Sequence, residues 1–357
     1  MRSEVRGSSP LIYADSLGNR GGTGVYTRRL LLGISRLDRR VLAAVGGRIM
    51  DTETALASSP ATGLRKVLLE NLILPGIASG LMPSIVHMPA FSGRGPRRTP
   101  VAVTLHDLAF YRNPKWFPPV RSVYYRLRFR KAASNASVVI TDSEFTSTEA
   151  VSLLRIPKER SRVVYLSTEG FEGADPKMFR EAFGMEGRYC VCACTVEPRK
   201  NMDALLESWR EVRRRHPSMT LVSAGRWGWG KRSLLRRLNG TPGVLFTGGL
   251  SSGMLASCVS GAELMIYPSY YEGFGLPPLE AASAGVPSVV SPAGALKEVY
   301  GKVATVASGF DAGSIAGAVL DALEKERDSG LLRDFASGFS VERMASDVLD
   351  VYREFQR

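Results

Sequence analysis

Histidine is scarce in this chain. Among 357 residues there are three, His87, His106 and His216. Cysteine is almost as rare, with four, and nothing in their placement implies disulfides. Cys190, Cys192 and Cys194 alternate along an apolar run, which points all three side chains to one face of a strand. Metal-ligating cysteines normally sit on turns with two or more residues between them. Small buried core residues are therefore expected here, and at Cys258 as well. No run of eighteen apolar residues occurs, so no transmembrane helix is expected. The first ten residues, Met1 to Pro10, have no apolar core and do not read as a secretory signal. A cytoplasmic protein is expected, or one held peripherally on the inner face of the cell membrane. No short-period repeat is present.

What the chain does have is length for two domains of ordinary size, 44% hydrophobic residues and a mean hydropathy of −0.04, the profile of a soluble globular protein. Its net charge is +13, and the excess is unevenly placed. Residues 1–183 hold 27 Lys and Arg against 15 Asp and Glu, whereas residues 184–357 hold 20 against 19. A field of one sign confined to one half favours polyanions, and it also serves plain solubility.

In chain order, Leu11 to Asp15 reads as a first strand, followed by a glycine loop from Gly18 to Gly24 and an apolar-periodic helix from Val25 to Leu37. A strand, a loop containing Gly22 and Gly24, and a helix can cradle phosphate, although a plain tight turn explains them too. Residues 51–100 are hard to read, and His87 is expected to be structural. Val101–Leu105 is a β-branched strand with His106-Asp107 at its end, where open α/β sheets bind ligands. Asp107 equally suits a cap. Residues 112–131 then interleave Trp116, Arg121, Arg126, Arg128, Arg130 and Lys131 with aromatics. That composition suits an anionic membrane surface, and it also suits an amphipathic helix packing inward; nucleic acid is not expected. Ser137–Thr141 is a strand running into a helix capped by Asp142 or Ser143. Residues 167–187, polar and glycine-punctuated, read as an interdomain linker.

The second half opens on Tyr189–Thr195, a strand, then Val196-Glu-Pro-Arg-Lys-Asn201. Arg199 and Lys200 stand at a strand's carboxyl end beside a helix start, where two cations could neutralise a departing diphosphate, or form a surface pair. Further strands follow at Met219–Gly225, Val244–Leu250 and Leu264–Tyr267. The last leads into Tyr267-Pro-Ser-Tyr-Tyr-Glu-Gly-Phe-Gly-Leu-Pro-Pro-Leu-Glu280. Its glycines permit close backbone approach to a ligand, Pro277-Pro278 signals a helix start, and Glu272 and Glu280 could hold two sets of sugar hydroxyls.

That segment, extended to Val290, resembles the signature of family 4 retaining glycosyltransferases. Gly21-Gly-Thr-Gly-Val-Tyr-Thr-Arg28, Thr104-Leu-His-Asp-Leu108 and Glu197-Pro-Arg-Lys-Asn201 are similar to other motifs of that family. The resemblance implies an α/β GT-B fold, with two facing Rossmann-like doubly wound domains and an interdomain cleft. The expected boundaries are 1–183 for the acceptor-binding domain, 184–340 for the nucleotide-sugar domain, and 341–357 for a terminal helix able to cross back to the first. It implies catalytic roles for His106, Glu272, Arg199 and Lys200. It places donor contacts at Gly22, Gly24, Arg199, Lys200, Leu250, Ser251, Glu272, Gly273, Phe274, Gly275, Leu276 and Glu280, with Glu280 on the ribose and Leu250 and Ser251 beside the base. Tyr26 and Asp107 fall on the acceptor side. Thr195 departs from the pattern, since many relatives carry an arginine there.

The motif set most resembles bacterial mannosyltransferases of surface polysaccharide assembly. GDP-mannose is therefore the expected donor, the sole co-substrate with no further cofactor, and a polyprenyl-linked glycan the expected acceptor. UDP-glucose or a dTDP-deoxysugar on a small-molecule acceptor stays open. So do a non-catalytic basic protein for lipid or nucleic acid, and an enzyme of the same fold acting on sugar phosphates or as an epimerase. The chain contains no Asp-x-Asp pair, so a metal bridging the diphosphate is not expected.

Overall fold

The structure, a computed structural model, describes residues 9–19, 21–90, 94–171 and 173–356. The expectation for the leading residues 1–8 lies outside the described residues, as does Arg20 of the glycine loop. The chain divides into two compact units. The first comprises residues up to Arg112, then Pro119–Glu169 and Phe339–Arg357; the second comprises Asn113–Pro118 and Gly170–Gly338.

The first unit is built on seven strands: β1 (Leu11–Tyr13), β2 (Leu42–Val45), β3 (Arg48–Asp51), β4 (Val86–Met88), β5 (Val101–Leu105), β6 (Val138–Thr141) and β7 (Ser161–Val163). Their spatial order is β3-β2-β1-β4-β5-β6-β7, and all are parallel except the β2–β3 hairpin. β1, β4, β5 and β6 are buried along their whole length, as parallel strands covered on both faces must be. The chain leaves β1 toward one side and returns to β4 on the other, so a topological switch point lies at their carboxyl ends. The register pairs Leu105 with Thr141, which makes His106 and Asp142 neighbours where their strands stop.

The second unit has six parallel strands: β8 (Tyr189–Ala193), β9 (Thr220–Ala224), β10 (Val244–Gly248), β11 (Leu264–Tyr267), β12 (Ser288–Val290) and β13 (Thr305–Val306). Their order is β10-β9-β8-β11-β12-β13, with the switch point between β8 and β11. Trp209 fills the core on one face of the sheet and Phe179 that on the other, both with no solvent exposure. Cys190, Cys192 and Cys258 are buried, Cys194 is half-buried, and all four are free thiols.

The stretch 167–187 is not a plain linker. It holds a helix, Pro176–Phe183, capped by the Asp175 side chain and ended by Gly184 in the left-handed region, and that helix belongs to the second unit. The division therefore falls at Glu169, ahead of the expected boundary at 183. Its polar composition hides Phe179 and Phe183, one turn apart, which stack at 4.8 Å and anchor the helix in the core. Losing Phe179 would cost on the order of 3–5 kcal/mol.

The terminal helix, Val341–Arg353, lies in the first unit against the helix Gly22–Leu37. Its apolar face is buried, and the Arg36 guanidinium pairs with Glu342 at its start.

Candidate functional site

In the second unit the loops after β8 and β11 carry the charged residues. After β8 the chain makes one tight turn, Pro198–Lys200, and Asn201 takes a left-handed conformation (φ 56°) before the helix Met202–Arg215 begins. Asn201 then donates from Nδ2 to the carbonyls of Pro268 (3.2 Å) and Phe310 (2.8 Å), which ties this turn to the loop after β11. The result brings Arg199, Lys200 and Glu272 together. Arg199 reaches Glu272 Oε2 at 2.9 Å, Glu197 Oε1 at 2.9 Å and the Tyr271 carbonyl at 3.0 Å. Lys200 Nζ lies 2.5 Å from Glu272 Oε1 and 2.8 Å from the Tyr267 hydroxyl. Lys200 and Glu272 are both buried. Burial by itself would raise the Glu272 carboxyl, but Arg199 and Lys200 outweigh it and hold the pKa down to about 2. A buried charge cluster is tenable only when every member is paired in this way.

The loop from Pro268 to Gly275 presents Glu272 and then starts the helix Leu276–Ser283. Gly275 caps that helix at φ 92°, and a Cβ there would lie 2.5 Å from Leu296 Cδ2, so both conformation and space require glycine. Its carbonyl accepts from the Tyr300 hydroxyl at 2.6 Å, and Phe274 packs edge-on to the Tyr300 ring. Gly273 is buried in the same loop, Leu276 is half-buried, and Glu280 stands half-buried in the second helical turn. Ser251 caps the helix Ser252–Ser260 by accepting from the Met254 amide at 3.3 Å, while Leu250 packs against the core around Phe179. Each of these lies at a carboxyl strand end of one sheet.

In the first unit, β1 is followed by Asp15, whose Oδ1 accepts from the amides of Gly46 and Ala61 and fixes the turn. Gly22 begins the helix Gly22–Leu37 with open space around it. Gly24 is different, because a Cβ there would sit 1.9 Å from the Asn19 carbonyl oxygen. Its glycine is demanded by packing.

His106, at the end of β5, is half-buried. Its Nδ1 lies 2.8 Å from Asp142 Oδ2 and its Nε2 3.0 Å from the Pro89 carbonyl. Burial disfavours the charged ring, yet the Asp142 carboxylate more than offsets it, and the His106 pKa rises above its ordinary value. Tyr26 packs edge-on to the His106 ring at 4.9 Å, and its hydroxyl bonds Thr104 Oγ1 at 3.1 Å. Thr104 in turn bonds His87 Nε2 at 2.8 Å, and His87 Nδ1 meets the Tyr352 hydroxyl at 2.6 Å. Burial holds His87 neutral, with its pKa down to about 3. A polar chain thus runs from Tyr352 on the terminal helix to Tyr26 under His106.

Two expectations change here. Tyr26 is only 2% exposed and supports His106 from inside the unit, so it does not face an acceptor. Trp116 belongs to the second unit, where its ring stacks near-parallel on Tyr270 and its carbonyl accepts from Trp229 Nε1, so it does not extend the basic helix. Asp107 accepts from the Ala109 amide at 3.0 Å and caps the short helix Ala109–Arg112. Arg121, Arg126, Arg130 and Lys131 are exposed on the helix Pro119–Asn135, and Arg128 is half-buried against Asn71. Asp142 escaped the sequence reading because it stands beside Ser143. Ser143 proves to be the cap, accepting from the Thr146 amide at 3.1 Å, and Asp142 is left to face His106. The available signal was two neighbouring parallel strands that each end on a polar residue.

Residues 187–325 match the family profile described as glycosyl transferases group 1, and residues 20–167 match that of glycosyltransferase family 4. The chain is 29% identical over 276 residues to O-antigen chain mannosyltransferase B of Escherichia coli, covering 72% of this chain and 71% of that protein. It is 29% identical to the MMP alpha-(1->4)-mannosyltransferase of Mycolicibacterium hassiacum, covering 67% of this chain and 60% of the relative. Among solved structures, Anabaena HepE in complex with UDP and glucose superposes with a TM-score of 0.72 at 17% identity, covering 97% of this chain and 99% of that one. Sucrose-phosphate synthase from Thermosynechococcus elongatus gives a TM-score of 0.76 at 17% identity, covering 98% and 99%. At that identity the structural likeness establishes the fold, GT-B, and nothing finer.

Proposed function

This chain belongs to the family 4 glycosyltransferases, and from that premise we propose that it moves a mannosyl residue from GDP-mannose, with retention of configuration, to a lipid-linked glycan. The observation that carries the proposal is the convergence of Arg199, Lys200 and Glu272, at 2.9 and 2.5 Å, where β8 and β11 end. Breaking the bond between sugar and diphosphate leaves negative charge on the departing nucleotide. Arg199, Lys200 and the amide end of the helix Leu276–Ser283 are the groups placed to receive it. Glu272 holds the sugar hydroxyls, Glu280 the ribose, and the amides of Phe274 and Gly275 the sugar and phosphate. The acceptor hydroxyl attacks the face that the diphosphate leaves, and the leaving phosphate oxygen takes the hydroxyl proton. This chain then needs neither a covalent nucleophile nor a separate base. His106 contributes charge and position, since both of its nitrogens are engaged within the first unit.

The mannosyl assignment is supported by the two mannosyltransferase relatives, and the charge work of the two cations by their position at the strand ends, Lys200 buried and Arg199 half-buried. The test is calorimetric titration of GDP, UDP, dTDP and ADP, without added metal, into wild type and Lys200→Ala. GDP is expected to bind tightest, and the substitution to weaken it by roughly 10–100-fold, the worth of a charge-assisted contact. Preference for UDP or dTDP would overturn the mannosyl reading, and binding of none would overturn the donor site.

A further inference from the structure

We propose that Cys192, Cys194 and Met202 form a three-sulfur site for a soft monovalent cation of the Cu(I) class, beside the buried pair Lys200 and Glu272. Cys192 lies on β8 and Cys194 just past its end, two residues apart, so both thiols leave one face of the sheet. Metal ligands are normally gathered by turns, and here the turn supplies the third sulfur. Asn201, in its left-handed conformation, ends the turn Pro198–Lys200 and starts the next helix at Met202, whose thioether returns to the same face. The two Sγ atoms are 3.8 Å apart, and Met202 Sδ lies 3.8 Å from that of Cys192 and 3.9 Å from that of Cys194. The triangle is nearly equilateral. Its centre lies one side divided by the square root of three from each corner, about 2.2 Å, close to a metal–sulfur bond of about 2.3 Å. A cation there needs almost no movement of its ligands.

Sulfur atoms packed in van der Waals contact also stand near this spacing, and the surroundings decide between the two. Cys192 and Met202 are buried, but Cys194 is only half-buried, which leaves one corner of the triangle as an entry path. The charges of Lys200 and Glu272 reach both thiols, and Lys200 favours their thiolate forms. Two thiolates, a thioether and a monovalent cation carry a net charge of −1, which Lys200 balances. Zinc asks for four ligands, and among the described residues no group of three or more His, Cys, Asp and Glu is suited to a metal. Glu272 offers no fourth ligand, since its two oxygens are held by Arg199 and Lys200. Thiolate and thioether together select Cu(I). A disulfide is disfavoured, because strand residues two apart stand about 6.6 Å apart at Cα, near the upper limit of what a disulfide spans. On binding, each thiol gives its proton to water, three Cu–S bonds form and no electron moves. The anionic complex then competes with Glu272 for Lys200, and copper should weaken GDP. That consequence rests on the donor reading, whereas the site itself does not.

The experiment is anaerobic titration of the full chain, with ascorbate, against the Cu(I) complex of the chelator bicinchoninate, whose colour fades as copper leaves it. Wild type is expected to withdraw one equivalent, and X-ray absorption to show three sulfurs at about 2.3 Å. Cys192→Ser and Cys194→Ser should each weaken binding by about a hundredfold or more, and Met202→Leu by about tenfold, following ligand softness. Cys258→Ala, outside the triangle, should bind as wild type. Thermal melting checks folding, and Met202→Leu, which conserves volume, stands in for a serine variant that does not fold. No withdrawal of copper by wild type would overturn the site. So would copper retained equally by Cys194→Ser and Met202→Leu. One equivalent of Cu(I) should also raise the Kd for GDP about tenfold in wild type and leave it unchanged in Cys194→Ser, the worth of one charged contact. Copper bound with GDP affinity unaltered would overturn the coupling. GDP that fails to bind the copper-free chain would instead be a failure of the donor reading alone.

Discussion

His106 and Asp142 share one proton across 2.8 Å, because the other ring nitrogen of His106 faces a carbonyl and must keep its own hydrogen. The pair is therefore held as one protonated unit, and Asp142 sets the charge of the ring. Asp142→Asn should lower the His106 pKa, read from the ring proton shifts in an NMR pH titration. Transfer should slow by about a hundredfold with GDP affinity unchanged, as expected when only a positioned charged group is lost. The sign of the stability effect follows from the raised His106 pKa. Its contribution is full below the unfolded value of 6.5 and fades as pH rises through the higher folded value. The melting-temperature gap between wild type and Asp142→Asn should accordingly narrow from pH 6 to pH 9.

Glu272 shows the opposite dependence. Its carboxyl is depressed from 4.5 to about 2, so it stabilises the fold above pH 4.5 and that contribution is lost as pH falls toward 2. The depression corresponds to about 3 kcal/mol by linkage. Acid titration of wild-type stability should show this slope, and Glu272→Gln should lack it. At pH 7 the variant should be roughly 3–5 kcal/mol less stable, because it leaves Lys200 buried without a carboxylate, while Arg199 keeps Glu197. Chemical denaturation at both pH values measures the two effects.

Glu280 carries a prediction specific to the ribose. Wild type should prefer GDP over 2′-deoxy-GDP, and Glu280→Gln should reduce that preference by about tenfold, the worth of one charge-assisted hydrogen bond. Because Glu280 is half-buried in a helix, its melting temperature should move little. Competition calorimetry with the two nucleotides reads the difference.

The two glycines that looked alike in the sequence should behave differently. Gly24→Ala places a Cβ 1.9 Å from the Asn19 carbonyl and should destabilise the first unit by several kcal/mol. Gly22→Ala meets nothing within 4 Å and should melt within about 1 kcal/mol of wild type. Any activity lost by Gly22→Ala then reports close substrate approach. Paired melting and transfer assays separate the cases.

The strands and their loops were legible because parallel strands buried on both faces read as short apolar runs that end in polar punctuation. Val101–Leu105 followed by His106 and Leu264–Tyr267 followed by Pro268 are of this kind. Glu272, Arg199 and Lys200 were legible through their motifs. What stayed hidden depended on register and on contacts distant in sequence. Asp142 stands 36 residues from His106, and only the pairing of β5 with β6 makes them neighbours. Tyr352 meets His87 across 265 residues. The helix Pro176–Phe183 was lost in a polar stretch because two aromatic residues alone do its anchoring.

The terminal helix has a consequence for how the protein is made. The second unit is threaded into the first, since residues 170–338 are synthesised between β7 and the helix Val341–Arg353. At about 5–20 residues per second, the seven-stranded sheet must wait roughly 10–40 s on the ribosome for the helix that packs in its unit. Until then the first unit lacks the Tyr352 hydroxyl for His87, and the side of the helix Gly22–Leu37 that receives Val341–Arg353 is open to water. The second unit can be complete before the first.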